Sequence, residues 1–494
     1  MTCVSRAPEG RAVPLLLIGG ASGLLYAVVG GTQRALQRGT TTEGAAFLLP
    51  TVLYLLATLG LFALYLLLLV RCRQGEFGSR RARILAMTLP VLFNVLLILV
   101  PPSFSIDLLS YISHGYIKAS LHGNPYVIPS SIVADTSLGS ELLRYGWRPV
   151  VPVTPYGPLW THLETTIVHV LNGVRTQLFA FKLVAVASSL GSAVFIWMIL
   201  GRVRPELRLL GTLAYLWNPM ILVELAGDGH NDALMTFFVL LALFLTIRGS
   251  ASSGLVAMSL GVLTKYVPLL LVPPQAVYLW RTRRSTLRLA RGVASGAAIA
   301  VLLSAALFVP LWAGAGTLRG LWLSGRPGNT GSTQTVLIEV LSRLLPVRAA
   351  EPLVYGLLVA GFAAYLWARS SSVSDVESLL RSCASVAVAY MLFVSPVYWP
   401  WYGVLPVALM ALVPTGVFLP LLVAISLGSR LVAPLDVLFD HYVIGRPAFL
   451  LVTWVGAIGL PLIVLLVWFM RSRSHGASAR EFDLGRVNPS APPR

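Results

Sequence analysis

The stretch AFLLPTVLYLLATLGLFALYLLLLV (46–70), followed at once by RCRQGEFGSRRAR (71–83), decides the architecture. The first part runs without a charge for longer than the ~20 residues needed to cross ~30 Å of hydrocarbon. The second gathers five arginines into a short segment, the mark of a loop held on the cytoplasmic face. Runs like the first recur near 12–30, 84–102, 178–200, 209–226, 232–248, 289–312, 352–368, 379–396 and 447–470. Two longer stretches, 253–280 and 403–427, contain proline or a polar break. Each reads as one long helix or as a hairpin of two short ones. The expectation is an all-α polytopic transmembrane bundle of about 11–14 spans. It occupies residues 1–470 as a single membrane domain, followed by a disordered cytoplasmic tail, 471–494, rich in Ser, Pro and Arg.

Composition agrees. Of 494 residues, 56% are hydrophobic and 11% charged, and the mean hydropathy is +0.79. Soluble proteins carry about 25% charged residues. An ordinary soluble enzyme, a disordered chain and a nucleic-acid-binding module are therefore excluded. The net charge of +18 sits mostly in short clusters between apolar runs. RVRPELR (202–208), RTRRSTLRLAR (281–291) and RSR (471–473) join 71–83 as expected cytoplasmic segments that meet anionic membrane lipids. This places both termini in the cytoplasm and makes 103–157 a large first extracytoplasmic loop of an inner (plasma) membrane protein. Segments 227–232 and 313–335 fall on the same outer side. The first apolar run, preceded by Arg6 and Arg11, reads as a retained anchor rather than a cleaved signal. Cys3, Cys72 and Cys383 are far apart and form no disulfide framework or metal motif.

In a membrane protein the informative side chains are the ionisable ones at membrane depth or just outside it. The segment SIDLLSYISHGYIKASLHGNPYVIP (105–129) holds Asp107 at a membrane exit, with Tyr111 and His114 on the same helical face. Asp107 also suits the N-cap of that helix. Asn124 and Tyr126 lie in the turn that ends it. Tyr156 belongs to the rigid turn PYGP, after which His162, Glu164 and His169 mark an amphipathic interfacial helix. The turn GDGHND (227–232) offers Asp228, His230, Asn231 and Asp232. Such a turn can cap a helix, hold a sugar, or offer oxygen and imidazole to a divalent cation. For a metal the signal of the turn is weak, and no cofactor or resident metal is expected. Lys265 interrupts an apolar stretch and needs either a partner (a carboxylate, backbone carbonyls or a phosphate) or a route to the interface. Arg319 and Arg326 lie in a Gly-rich outer stretch. Trp401 and Tyr402 belong to YWPWY (398–402), which is an aromatic belt or a wall for sugar stacking.

One acid with cations beside it fits a particular chemistry. A glycosyl phosphate donor has a leaving group that departs as a stabilised anion, so no general acid is needed. One base takes the acceptor proton and Lys or Arg stabilises the phosphate. Glycoside hydrolases, by contrast, use two carboxylates. A polyprenyl tail on the donor also explains why such an enzyme is embedded in a membrane.

Several motifs taken in order resemble a known group: Asp107 with Tyr111 and Gly115, GNPY (123–126), PYGPL (155–159), GHNDALM (229–235), TKY with Pro268, and PWY (400–402). The chain looks like the bacterial GT-C polyprenyl-phosphomannose-dependent mannosyltransferases of the alpha-1,6 type, and is similar to glycosyltransferase family 87. The likeness runs from about residue 84 to 405. It implies a GT-C fold with Asp107 as base, a beta-linked polyprenyl-phosphate sugar donor with mannose as the expected sugar, inversion, and an extracytoplasmic glycan or glycolipid acceptor. Leu109 stands where relatives often have tyrosine, and Ile106 supplies no second acid; both weaken a metal-dependent version. On this reading Tyr111, His114, Asn124, Tyr126, Tyr156, Asp228, His230, Asn231, Asp232, Trp401 and Tyr402 line the substrates, and Lys265, Arg319 or Arg326 holds the phosphate. The rival from another class is a transporter or flippase of a lipid-linked sugar, which places its ionisable residues near the midplane.

Overall fold

Apolar runs become helices, and polar or proline-bearing positions end them. The computed structural model describes residues 12–38, 48–102, 105–149, 153–282, 287–324, 331–440 and 445–474. In chain order its α-helices are α1 Ala12–Arg38, α2 Leu48–Arg73, α3 Arg80–Ile98, α4 Asp107–Ala119, α5 Ser137–Arg144, α6 Pro158–Val170, α7 Val174–Val203, α8 Arg208–Leu216, α9 Pro219–Leu222, α10 Asp232–Ile247 and α11 Ala251–Thr264. There follow α12 Val272–Thr282, α13 Leu287–Phe308, α14 Arg319–Ser324, α15 Thr333–Leu341, α16 Val347–Ser371, α17 Val376–Ala389, α18 Val404–Met410, α19 Phe418–Asp440, α20 Arg446–Trp454 and α21 Leu460–Ser474. The protein is an all-α polytopic membrane protein. Most of the tail, 475–494, lies outside the described residues, as does Arg326.

Among the described residues nine helices are long and apolar enough to span a membrane, or ten if a bent pair counts as one span. That pair, Pro205–Leu216 with Pro219–Gly227, occupies the run at 209–226 and bends by 49°. The bend has a local cause: Asn218 caps the second half, its Oδ1 accepting from Met220 N at 3.0 Å, and Pro219 follows at the first helical position. The run at 232–248 forms only 16 helical residues. At 1.5 Å per residue that is about 24 Å, short of a full crossing. The stretch 253–280 breaks at Lys265, whose backbone is extended, and 403–427 breaks between α18 and α19 at Gly416.

The breaks leave two distinct ends. At one, Arg204 pairs with Glu377 at 3.0 Å, and Arg281 Nη1 donates to Val373 O at 3.1 Å. The arginine-rich turns after α2 and α7 lie at the far ends of α3 and α8 from the polar turns. At the other end α4 and α6 pack on each other around Leu108, Tyr111, Ile112, Trp160 and Phe181. The end of α13 and the start of the segment after it close over them. His162 Nε2 lies 2.9 Å from Leu307 O, Asn124 Nδ2 donates to Leu311 O at 2.7 Å, and Lys118 Nζ donates to Pro310 O at 3.3 Å. So α6 is a packed helix, and Glu164 on it is buried.

Gly157 joins this cap to the bundle. Its N donates to Thr264 O at 3.0 Å, and a Cβ there would stand 2.1 Å from Leu263 O. Gly157→Ala should therefore push α6 off the break at Lys265. We expect a loss of about 1–3 kcal/mol, read as a lower unfolding temperature in detergent; unchanged thermal stability would show that the contact is slack.

Candidate active site

Four short segments meet at the capped end: the first turn of α4, the PYGP turn, the polar turn 228–232 and the aromatic run 398–402. Asp107 lies in the first helical turn with Ile106 at the cap position, so it is not the N-cap of α4. Its own N–H donates to Ser105 Oγ at 3.1 Å. A carboxylate there still gains from the helix dipole. Oδ2 accepts from the Tyr156 hydroxyl at 3.2 Å and stands 3.5 Å from His230 Nδ1. The side chain keeps 15% exposure, whereas His230 is fully buried.

Tyr156 is aimed by its own backbone. Its carbonyl accepts the hydroxyls of Tyr126 at 2.8 Å and Tyr266 at 3.3 Å. Asn124 Oδ1 accepts from Tyr126 N at 3.1 Å and shapes the turn that carries it. Tyr111 packs edge-on against Tyr156 and Trp160, and its hydroxyl accepts from Asn231 N at 3.4 Å.

The polar turn owes its shape to Gly229, at φ +67°. A Cβ there would lie 2.9 Å from Leu108 and 3.2 Å from Lys182 Cγ, so both conformation and space require glycine. The turn presents His230 with Nε2 at 3.4 Å from Glu224 Oε2 and its ring stacked on Trp401 at 3.9 Å. Trp401 also stacks with Trp399 at 5.3 Å. It is therefore packed by rings of the protein and offers little surface to a sugar. Asn231 is buried, and neither of its side-chain amide atoms has a hydrogen bond. Asp232 binds Lys265 Nζ through both oxygens, at 3.0 and 2.8 Å, and the ammonium lies 4.9 Å from the Tyr402 ring centroid. A small, partly open pocket is lined by Ser105, Glu224, Asp228, Trp399, Trp401 and Phe449, among others.

Charge is balanced here by pairing. Burial raises the Asp107 pKa, but His230, Lys265 and the Tyr156 hydroxyl outweigh that and hold it below the ordinary carboxylate value. Burial opposes a charge on His230, but Asp107, Glu224 and Asp228 outweigh that and raise its pKa. The pair is thus an imidazolium beside a carboxylate.

His114 departs from the sequence reading. It is fully buried, 3.9 Å from the equally buried Glu164 and away from the cavity. Burial lowers its pKa to about 4 and raises that of Glu164, so both are neutral. Arg319 opens α14 as an exposed residue. Two residues escaped the sequence reading. Glu224 sits in the π-helical turn Val223–Gly227, and its Oε1 is bound by Arg430 of α19, which also binds the Tyr54 hydroxyl. The available signal was an acid inside one apolar run and an arginine inside another.

Glu224, Asp228 and His230 bring one ligand atom each within 4.8 Å of one another. Both Glu224 oxygens are already engaged, one by Arg430 and one by His230. A guanidinium supplies positive charge to this group, so the three side chains meet inside an ion-pair network.

Comparison with known proteins gives the family of the chain. The chain is 27% identical over 368 residues to alpha-(1->6)-mannopyranosyltransferase A of Mycobacterium tuberculosis, covering 68% of this chain and 65% of that protein. It is 25% identical over 206 residues to the protein of the same name from Corynebacterium glutamicum, covering 40% of this chain and 38% of that one. The match thus spans less than two thirds of either relative. Residues 12–282, over half of the chain, match the alpha-(1->6)-mannopyranosyltransferase family in its N-terminal domain, and the chain belongs to that family.

Proposed function

We propose that the protein is a membrane glycosyltransferase that moves mannose from a polyprenyl phosphate to a glycan or glycolipid acceptor, with inversion. The observation that carries this reading is the Asp107 carboxylate, 15% exposed, with the Tyr156 hydroxyl and the His230 ring against one of its oxygens. Oδ1 takes the proton of the acceptor hydroxyl as that oxygen attacks C1 of the sugar. The bond from C1 to the phosphate oxygen breaks, and its electron pair leaves with the phosphate. One displacement with one base inverts the anomeric centre.

A leaving phosphate needs positive charge. The Lys265 ammonium has three donors; two serve Asp232, and the third is free for a phosphate oxygen. Asn231 has an uncommitted amide for a sugar hydroxyl. The family supports mannose as the sugar. The arginine-bearing turns lie at the end of the bundle opposite Asp107, which supports an extracytoplasmic site in the plasma membrane with both termini inside. A transporter reading has less support: Glu224 and Arg430, two ionisable residues inside spans, are paired with each other.

Asp107→Asn should lower transfer from polyprenyl phosphomannose to a short mannoside by at least about 10² without loss of folded protein; full activity would discard Asp107 as base. The pKa directions set the pH profile. Asp107, held low, keeps kcat/KM level down to about pH 5, and activity falls on the alkaline side above the ordinary histidine value of ~6.5 as His230 loses its proton. An acid limb near pH 6 would assign the base to another group. Because Arg430 supplies the charge beside Glu224, EDTA treatment of the purified protein should leave the rate unchanged; loss restored by a divalent cation would contradict the ion-pair assignment.

A further inference from the structure

A carboxylate and a guanidinium buried among apolar helices are not explained by stability. Removing each ion from water costs several kcal/mol, and apolar replacements of such pairs are often neutral or stabilising. Yet Glu224 and Arg430 are at most 2% exposed. Their pair is also not closed on itself. Tyr54 of α2 holds Arg430, Arg430 holds Glu224 Oε1, Glu224 Oε2 faces His230 Nε2 at 3.4 Å, and His230 Nδ1 faces Asp107 Oδ2 at 3.5 Å. Glu224 also engages the polar turn through its backbone, its carbonyl accepting from His230 N at 3.3 Å. One residue thus hydrogen-bonds the backbone of the histidine and lies in ion-pair range of its ring.

We infer that Glu224, fixed by Arg430, is a positioning residue that sets the ring of His230 and through it the carboxylate of Asp107. The inference rests on the reading of Asp107 as base. A histidine stacked on Trp401 is fixed in plane but free to flip about its χ2 axis. A flip would turn carbon atoms toward both carboxylates. With acids at both nitrogens, only one of the two orientations keeps both contacts. Asp107 Oδ2 is then held from two sides, and Oδ1 is left in one place for the acceptor. Loss of this support misplaces the base without removing it, and a displacement near 1 Å costs about 10² in rate.

The test compares intact, purified wild type, Asp107→Asn and Glu224→Gln in transfer from polyprenyl phosphomannose to a mannoside, with a structure of the Glu224→Gln protein. Transfer by wild type and its loss in Asp107→Asn establish the underlying reading. Glu224→Gln is then expected to lower kcat about 10²-fold with both KM values unchanged, and His230 is expected to leave its approach to Asp107. Wild-type kcat in folded Glu224→Gln, or a loss confined to KM, overturns the inference. If wild type transfers no sugar, the reading of function fails and the structural arm decides alone: an unmoved His230 overturns the positioning role. If Glu224→Gln does not fold, Arg430→Lys keeps the charge but loses the forked geometry. It should lower kcat at constant KM, and an unchanged kcat overturns the inference.

Discussion

A charge inside a bilayer must be answered by another charge or by backbone dipoles, and this requirement organises the whole bundle. Glu224 meets Arg430, Lys265 meets Asp232, and the Lys182 ammonium meets the carbonyl of Val100 where α3 ends. These contacts tie α2 and α19 to the π-helical turn, α11 to its neighbour α10, and α7 to the exit toward α4. Breaking one member of such a pair costs roughly 3–5 kcal/mol, because the remaining charge stays buried. The groups that surround Asp107 are therefore also the bolts of the scaffold.

This double duty gives the candidate site its rigidity. Tyr156 is aimed by two phenols on its own carbonyl, and His230 is held by a ring on its face and acids at its edges. Preorganised dipoles and charges are more effective than mobile ones, since they need no reorganisation during reaction. The lipid-facing helices show the opposite character. Little of α13 or α16 is buried by other parts of the chain, and their apolar surfaces are free to meet hydrocarbon.

Much of this was legible in the sequence. Uncharged runs and arginine clusters gave the helices, since hydrocarbon tolerates little else. Asp107, the polar turn and the break at Lys265 stood out because each interrupts an apolar pattern. Pairing was not legible. Lys265 called for a carboxylate, backbone carbonyls or a phosphate, but nothing in the sequence picked out Asp232, 33 residues away. Glu224 was hidden at the end of an apolar run, and its arginine lies beyond the next several helices. His114 shares a helical face with Asp107 in register, yet it turns to Glu164, because α6 packs against α4 closely enough that a Cβ on Gly115 would meet the Glu164 carbonyl at 2.5 Å. Periodicity reports which face a residue occupies, but not which helix will cover it.

The long-range pairing also bears on how the chain is made. Glu224 and Arg430 are separated by 206 residues. At a synthesis rate of about 5–20 residues per second, the acid precedes its arginine by roughly 10–40 s. During that interval eight apolar helices or more have emerged, and the site lacks both its counter-charge and the ring of Trp401. The first half of the protein, although it carries Asp107, His230 and Lys265, thus leaves Glu224 without its counter-charge until α19 arrives.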